Sequence, residues 1–370
     1  VLVARLDNAG DVLLAGPAVR AVARDAPVLL AVGPHGRAAA DLLPAVDTVV
    51  ELAAPWILAD PPPVAGPDLE RFMALVASAR PRAAAILTSS HQSALPLALL
   101  LRLAGVAEIA AVSLDHAGSL LDHRIPGDPD VHEVERALAV VAALGHTPAP
   151  GDDRLAVTLP RPPRAEVPDA FGTTASASAP DTAAPVPRRY VVVHPGASVP
   201  ARTLAPPRWR EVVMALGADG RQVVVTGNRG ERPLTAAVAA GWPGAIDLGG
   251  RTTLGDLARV LAGADALVCG NTGPMHLAAA VGTSVVAVFA PTVPLARWRP
   301  WKVPHLVLGD QRVPCRLCRS RSCPVPRQPC LAPVTPAAVA DAVGALAPAG
   351  RPTRPRPTPV PVPHTPEEVR

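Results

Sequence analysis

Aromatic side chains are nearly absent from this sequence. They make up 2% of 370 residues, as five Trp, three Phe and one Tyr. That scarcity excludes a nucleic-acid platform built from interleaved basic and aromatic residues, so no nucleic-acid partner is expected. It also leaves Ala, Val and Leu to build the cores. Lysine is scarcer still: Lys302 is the single lysine among 35 basic residues, so the net charge of +4 rests on arginine. No stretch of about 18 apolar residues runs without a charge or a proline, which argues against a transmembrane helix. No secretory leader pattern is legible, and a cytoplasmic location is expected. Cysteine is sparse, and four of the five (Cys315, Cys318, Cys323 and Cys330) crowd together, a local feature and not a disulfide scaffold.

What is present is 49% hydrophobic and 18% charged, over a length that can bury two cores. Short apolar runs alternate with helical periodicity from Val1 to Leu144 and again from Tyr190 to Phe289. Such alternation predicts α/β architecture, with parallel sheets of Rossmann type. Strands are expected at 1–6, 28–32, 48–52, 84–88 and 109–112 in the first unit, with 7–11 a polar turn and a helix from Val12 to Arg24 after it. In the second they are expected at 191–193, 222–226, 245–248, 266–268 and 284–289. The boundaries follow composition. Residues 1–159 form one domain, 160–188 a Pro/Ala/Ser-rich linker or loop, 189–347 a second domain, and 348–370 a Pro-rich tail expected to be disordered.

One stretch organises the rest. Ala266 to Val268 reads as a buried strand, Gly270-Asn271-Thr272-Gly273 as a tight turn, and Pro274 onward as a helix of small residues. Proline suits a first helical position because it has no N–H to leave unsatisfied. A helix that opens on such a turn presents N–H groups and the positive end of a dipole, which suit a phosphate. His276, in the first turn, could reach the same anion. An ordinary capped strand-to-helix connection is the plainer alternative.

Taken in order, Gly10-Asp11-Val12-Leu13-Leu14, His194-Pro195-Gly196-Ala197-Ser198, Gly227-Asn228 with Glu231, Asn271-Thr272-Gly273-Pro274-Met275-His276-Leu277 and Phe289-Ala290-Pro291-Thr292 resemble glycosyltransferase family 9, the ADP-heptose:lipopolysaccharide heptosyltransferase family. The resemblance spans roughly residues 1–347, outside the linker. It implies a GT-B fold, two doubly wound Rossmann-like domains facing a cleft. The first half would take a glycan or glycolipid acceptor and the second a nucleotide-sugar donor. It implies inverting transfer with no metal and no cofactor, in the cytoplasm, with peripheral contact at the inner face of the cell membrane left open.

Inverting transfer is one displacement at the anomeric carbon. It needs a base for the acceptor hydroxyl and stabilisation of the departing diphosphate. By the resemblance Asp11 is that base, beside Gly10 on the acceptor side, with Asp7 as a turn residue or a support. Taken alone, Asp11 could equally be an acid favouring a helix start. Ser198, Asn271, Thr272, Gly273 and His276 would line the donor phosphates, and Glu231 would accept from the ribose hydroxyls. Two positions depart from the family pattern. Arg202 stands near where a lysine is usual, with Arg208 as its rival, and Asn271 stands where an aspartate is frequent. The four clustered cysteines could hold a metal, pair, or remain free. Residues 297–327 hold eight basic residues and one acid, Asp310, a face for an anionic acceptor, a membrane surface or plain solvent. Another nucleotide sugar, an epimerase or hydrolase activity, or a non-catalytic glycan- or nucleotide-binding role are the alternatives.

Overall fold

The computed structural model describes residues 1–58, 61–89, 92–128, 130–160 and 190–347. The proposed linker at 160–188, apart from Pro160, and the tail from 348 lie outside the described residues. The first half carries β1 (Leu2–Arg5), β2 (Leu29–Val32), β3 (Thr48–Glu51), β4 (Ala83–Ile86), β5 (Glu108–Val112) and β6 (His123–Ile125). The second carries β7 (Tyr190–His194), β8 (Gln222–Val225), β9 (Ile246–Asp247), β10 (Ala266–Gly270), β11 (Ser284–Val288) and β12 (His305–Leu308). Every pairing is parallel, in the orders β3-β2-β1-β4-β5-β6 and β9-β8-β7-β10-β11-β12. The second sheet therefore repeats the first, strand for strand. Helices cover both faces of a parallel sheet, so its inner strands are largely apolar. All residues of β1, β2, β4, β7, β10 and β11 are buried.

The helices of the first half are α1 (Ala9–Leu14), α2 (Gly16–Ala23), α3 (Arg37–Ala40), α4 (Gly66–Ala79), α5 (Leu95–Leu103) and α6 (Glu133–Ala143). Those of the second are α7 (Pro206–Ala218), α8 (Arg232–Ala239), α9 (Leu254–Ala262), α10 (Gly273–Ala280), α11 (Leu295–Trp298) and α12 (Pro336–Leu346). In this strand order the chain reverses direction between β1 and β4, and again between β7 and β10. Ligands of open α/β sheets bind outside the carboxyl ends of strands at such points. Two helices start there: α1 leaves the end of β1, and α10 leaves the end of β10. They pack against each other, and one apolar cluster runs through both, joining Val12 and Leu13 to Met275, Leu277 and Ala278. With few aromatics to use, the second core places Trp209 at its centre, fully buried, its indole N–H donating to Thr203 Oγ1 at 2.8 Å.

The expected strands form with ends shifted by at most two residues. The differences have physical causes. Ala9-Gly10-Asp11, expected as turn, is already helical, and the helix expected from Val12 to Arg24 is broken at Ala15. Pro17 cannot donate to the preceding turn, so α2 restarts with that proline near its N-terminus. The strands β6 and β12 escaped the sequence reading. Both are edge strands with partly exposed residues; β6 lacks the apolar run that marks inner strands, whereas the run Leu306-Val307-Leu308 in β12 was a signal the sequence held.

Candidate functional site

The site begins with a charge out of place. Arg5 ends β1, where a buried parallel strand should be apolar, and it is 3% exposed. Its guanidinium collects three acids. Nε lies 2.8 Å from Asp7 Oδ2, Nη2 donates to Asp11 Oδ1 at 3.0 Å, and Nη1 donates to Glu133 Oε2 at 3.1 Å. Nη2 also donates to Ser89 Oγ at 2.9 Å, just past β4. The Gln92 amide donates to Asp7 Oδ1. Desolvating several charges costs several kcal/mol each unless they are closely paired. Such a cluster makes this end of β1 a candidate for a functional site.

Asp11 sits in the first turn of α1, its side chain 19% exposed. Burial raises its pKa to about 6. Arg5 pulls it down, while the neighbouring charges of Asp7 and Glu133 push it up. A carboxylate poised near neutrality is suited to accept a proton. Arg5 itself loses charge stability to burial but is held charged by Asp7, Asp11 and Glu133, above the usual arginine range.

The second half meets the residue before this carboxylate, Gly10, through α10. A Cβ on Gly10 would lie 3.0 Å from Gly273 Cα and 3.2 Å from His276 Cδ2, so the two helix starts come this close because Gly10 has no side chain. Thr272 is the N-cap residue of α10, but its hydroxyl donates to Gly270 O at 3.4 Å and makes no capping bond. Asn271 is buried beside it. The His276 ring is buried, and among the described residues nothing pairs with its Nδ1. Burial, with His132 and Arg5 nearby, lowers its pKa to about 3, so the ring is neutral and has a nitrogen to spare for a ligand. Cys269, one strand residue earlier, is buried with its thiol pKa pushed up by burial, which fits inert packing.

The loop after β7 supplies the cation. Arg202 ends the short 3-10 helix Pro200–Arg202, and its Nε donates to Thr292 Oγ1 at 3.3 Å. Burial lowers its pKa, while Asp11 across the cleft raises it, so the two face each other electrostatically. Arg208 is engaged elsewhere, with Glu211 at 3.3 Å and the Val334 carbonyl at 3.2 Å. Ser198 is exposed on the same loop. Glu231 closes a capping box: its Oε2 accepts from Asn228 N at 2.8 Å, and Asn228 Oδ1 accepts from Gly230 N and Glu231 N. Its other oxygen lies over Gly196, where a Cβ would come within 2.0 Å. Gly196 thus lets a carboxylate approach its backbone. His194 Nε2 is 4.0 Å from Glu231 Oε2, but burial lowers the imidazole pKa to about 4, so no ion pair forms at neutral pH.

Cys315, Cys318, Cys323 and Cys330 are unpaired and line one cavity beside Ala201 and Thr292. Among the described residues no group of three or more His, Cys, Asp or Glu is arranged to hold a metal. Among the same residues no helix is long and apolar enough to cross a membrane.

Three residues were missed by the sequence reading: Arg5, Glu133 and Arg297. Arg297 is 3% exposed, and its Nε donates to Glu133 Oε1 at 2.9 Å, with Nη2 on the same oxygen. The available signal was Arg5 itself, a cation inside an apolar strand.

Two repeated Rossmann-like halves, meeting at the starts of two helices across a cleft, define a protein of the GT-B class. Known proteins narrow this further. A family model, glycosyltransferase family 9 (heptosyltransferase), matches residues 86–328, and the chain belongs to that family. Lipooligosaccharide heptosyltransferase 2 of Campylobacter jejuni is 29% identical over 86 residues, 23% of this chain and 27% of that protein. Lipopolysaccharide heptosyltransferase 3 of Escherichia coli is 30% identical over 142 residues, 36% of this chain and 42% of that protein. The match thus spans less than half the length of these curated relatives. The solved structure of the E. coli ADP-heptose lipopolysaccharide heptosyltransferase II superposes with a TM-score of 0.66 at 19% identity, over 94% of this chain and 98% of that one.

Proposed function

We propose that this chain transfers a heptosyl group from ADP-heptose to a cell-envelope glycan, with inversion at the anomeric carbon and without a metal. The observation that carries the reading is the Asp11 carboxylate, held by Arg5 and with its pKa raised to about 6, one residue after Gly10, whose backbone meets the start of α10. Asp11 takes the proton of an acceptor hydroxyl. The acceptor oxygen forms its bond to the anomeric carbon as the bond from that carbon to the diphosphate breaks, and ADP departs with the electron pair. The start of α10, the His276 imidazole and Arg202 stabilise the negative charge that develops on it. Arg202 brings a two-pronged donor where the family more often has a point charge. Ser198, Asn271, Thr272 and Gly273 line the diphosphate, and Glu231 accepts from the ribose hydroxyls. The acceptor approaches from residues 1–159, past Gly10 and Asp7, and residues 189–347 hold the donor. The ADP-heptose named for the structural relative supports the donor. We assign the enzyme to the cytoplasm, working at the inner face of the membrane where a glycolipid acceptor would present itself.

The test is direct. Asp11→Asn keeps the affinity for ADP-heptose and lowers the transfer rate by at least ~100-fold, the range of lost general-base work. An unchanged rate removes Asp11 from the mechanism. A chelator leaves the wild-type rate unaltered; a loss restored by added metal overturns metal independence. A thermal-shift series with ADP, GDP, UDP and dTDP decides the nucleotide. At 100 times its dissociation constant the right one adds about 2.7 kcal/mol. Selectivity for another nucleotide retains the fold and the base and replaces the donor.

A further inference from the structure

We propose that Glu133 is a positioning residue that ties the protonation of Asp11 to the seating of the donor half, because its two carboxylate oxygens grip different halves of the protein. Oε2 accepts from Arg5, the holder of Asp11, at 3.1 Å; Oε1 accepts from Arg297 of the second half at 2.9 Å. The inference rests on Asp11 being the base. All three groups of the bridge are buried, Glu133 at 1% and both arginines at 3%, so water does not screen the coupling.

The neighbourhood of Glu133 is built to hold it there. Glu133 opens α6, and the N-cap His132 accepts from Val134 N through Nδ1 at 3.2 Å. Its Nε2 therefore carries the proton and donates to the Arg299 carbonyl at 3.0 Å. Burial keeps that ring neutral, with a pKa lowered to about 4. The ring also stacks on Trp301 at 4.3 Å, and the Trp301 indole donates to the Asp153 carbonyl at 2.6 Å. Residues 297–301 of the donor half thus lie along the start of α6.

The charges facing Asp11 come from every element around it: Arg5 and Asp7 at the end of β1, Glu133 on α6, Arg202 from the loop after β7, and the neutral His276 on α10. Arg297 and Arg136 stand behind Glu133 and favour its charged form. While Arg297 occupies Oε1, Glu133 shares its charge, and Arg5 remains available to Asp11. When the donor half withdraws, Arg297 leaves and Glu133 draws more on Arg5, with Arg136 of its own helix the other cation near it. Asp11 then loses part of its counter-ion and holds a proton more readily. With the burial of Asp11 unchanged, the Arg297 contact favours the ionised base and its loss favours the protonated one.

The experiment compares kcat/KM against pH in wild type, Asp11→Asn, Glu133→Gln, Arg297→Gln, the double variant Glu133→Gln/Arg297→Gln, and Arg297→Lys. Removing the Glu133 charge moves the acidic limb down by about one pH unit, and removing the Arg297 charge moves it up by about as much. The isoelectric double variant and Arg297→Lys return it to the wild-type position, while kcat stays lowered where the grip is lost. Limbs that shift in one direction, or do not shift, overturn the proposal, since a purely structural role gives no opposed displacements. If one single variant does not fold, the other decides: a limb displaced in the direction given supports the coupling and an undisplaced one overturns it. Asp11→Asn keeps the two ideas apart. If it retains the wild-type rate, the base assignment fails, whatever Glu133 does.

Discussion

The contact between Gly10 and Gly273 gives the sharpest test of the site, because it joins the acid of one half to the anion-facing helix of the other. Consider Gly10→Ala. The backbone there is ordinary, so the only change is a methyl group. That methyl would lie 3.0 Å from Gly273 Cα and 3.2 Å from His276 Cδ2, where ordinary contact begins at 3.4 Å. The shortfall against backbone is about 0.4 Å, and neither a glycine Cα nor a packed histidine can rotate away from it. The helices α1 and α10 must separate by that amount. Overpacking of this kind costs about 1–3 kcal/mol. On the proposed reading the rate suffers more, because Asp11, the proposed base, is the next residue and the start of α10 is the proposed diphosphate site. A misplacement of about 1 Å costs about 100-fold, so a few tenths of an ångström predicts a loss on the order of tenfold in kcat, with donor affinity lowered less. Denaturant unfolding and steady-state transfer measure the two effects. Gly66→Ala is the control: it opens α4, and its nearest neighbour is Glu70 Oε1 at 3.9 Å, so it leaves both quantities unchanged. Wild-type kcat in a folded Gly10→Ala protein would refute the claim that this contact sets the distance across the site.

Four further outcomes follow from the same geometry. The raised Asp11 pKa places the acidic limb of kcat/KM near pH 6: a base works only when ionised, so activity falls as pH drops through that value. A limb near pH 4, measured with saturating donor, contradicts it. Gly196→Ala drives a methyl into the Glu231 carboxylate, 2.0 Å from Oε1, and should weaken ADP binding about tenfold by calorimetry with little change in kcat. Arg202→Ala removes the cation facing Asp11 and should lower kcat by about 100-fold, with Arg202→Lys recovering part of it; equal rates for Ala and Lys would deny it a charge-stabilising role. Trp209→Ala empties the centre of the second core and should cost about 3–5 kcal/mol in urea unfolding.

The fold was legible because doubly wound sheets write themselves plainly. Val191-Val192-Val193 and Ala266-Leu267-Val268 are apolar on both faces, and only a covered parallel strand asks for that. The turns at the strand ends were legible too, because Gly10-Asp11 and Asn271-Thr272-Gly273 concentrate small and polar residues where a ligand must approach. Their boundaries were less so: Gly10 and Asp11 were expected in a turn and lie in a helix, since the tertiary contact with Gly273 supports a turn of helix that local sequence does not favour. Glu231 was read as a ribose acceptor or a helix-start acid, and its capping box gives it the second role whatever it does in the first.

The bridge of Arg5, Glu133 and Arg297 was not legible, and the reason is distance along the chain. Glu133 is 128 residues from Arg5 and 164 from Arg297. Each residue has a sufficient local explanation: Glu133 as an acid at a helix start, Arg297 as one of many arginines in its segment. Only Arg5 breaks a rule by itself. A buried strand that ends on a cation must find anions, and a chain that keeps it gives up the several kcal/mol that an apolar residue would spare. Exceptions of this kind cluster where function outweighs stability. From Arg5 alone one could have asked which acids answer it, and the nearest along the chain are Asp7 and Asp11. The third, Glu133, required the fold. Because that third acid also reaches the other half, the charge that breaks the pattern of β1 is joined through Glu133 to Arg297 across the two halves.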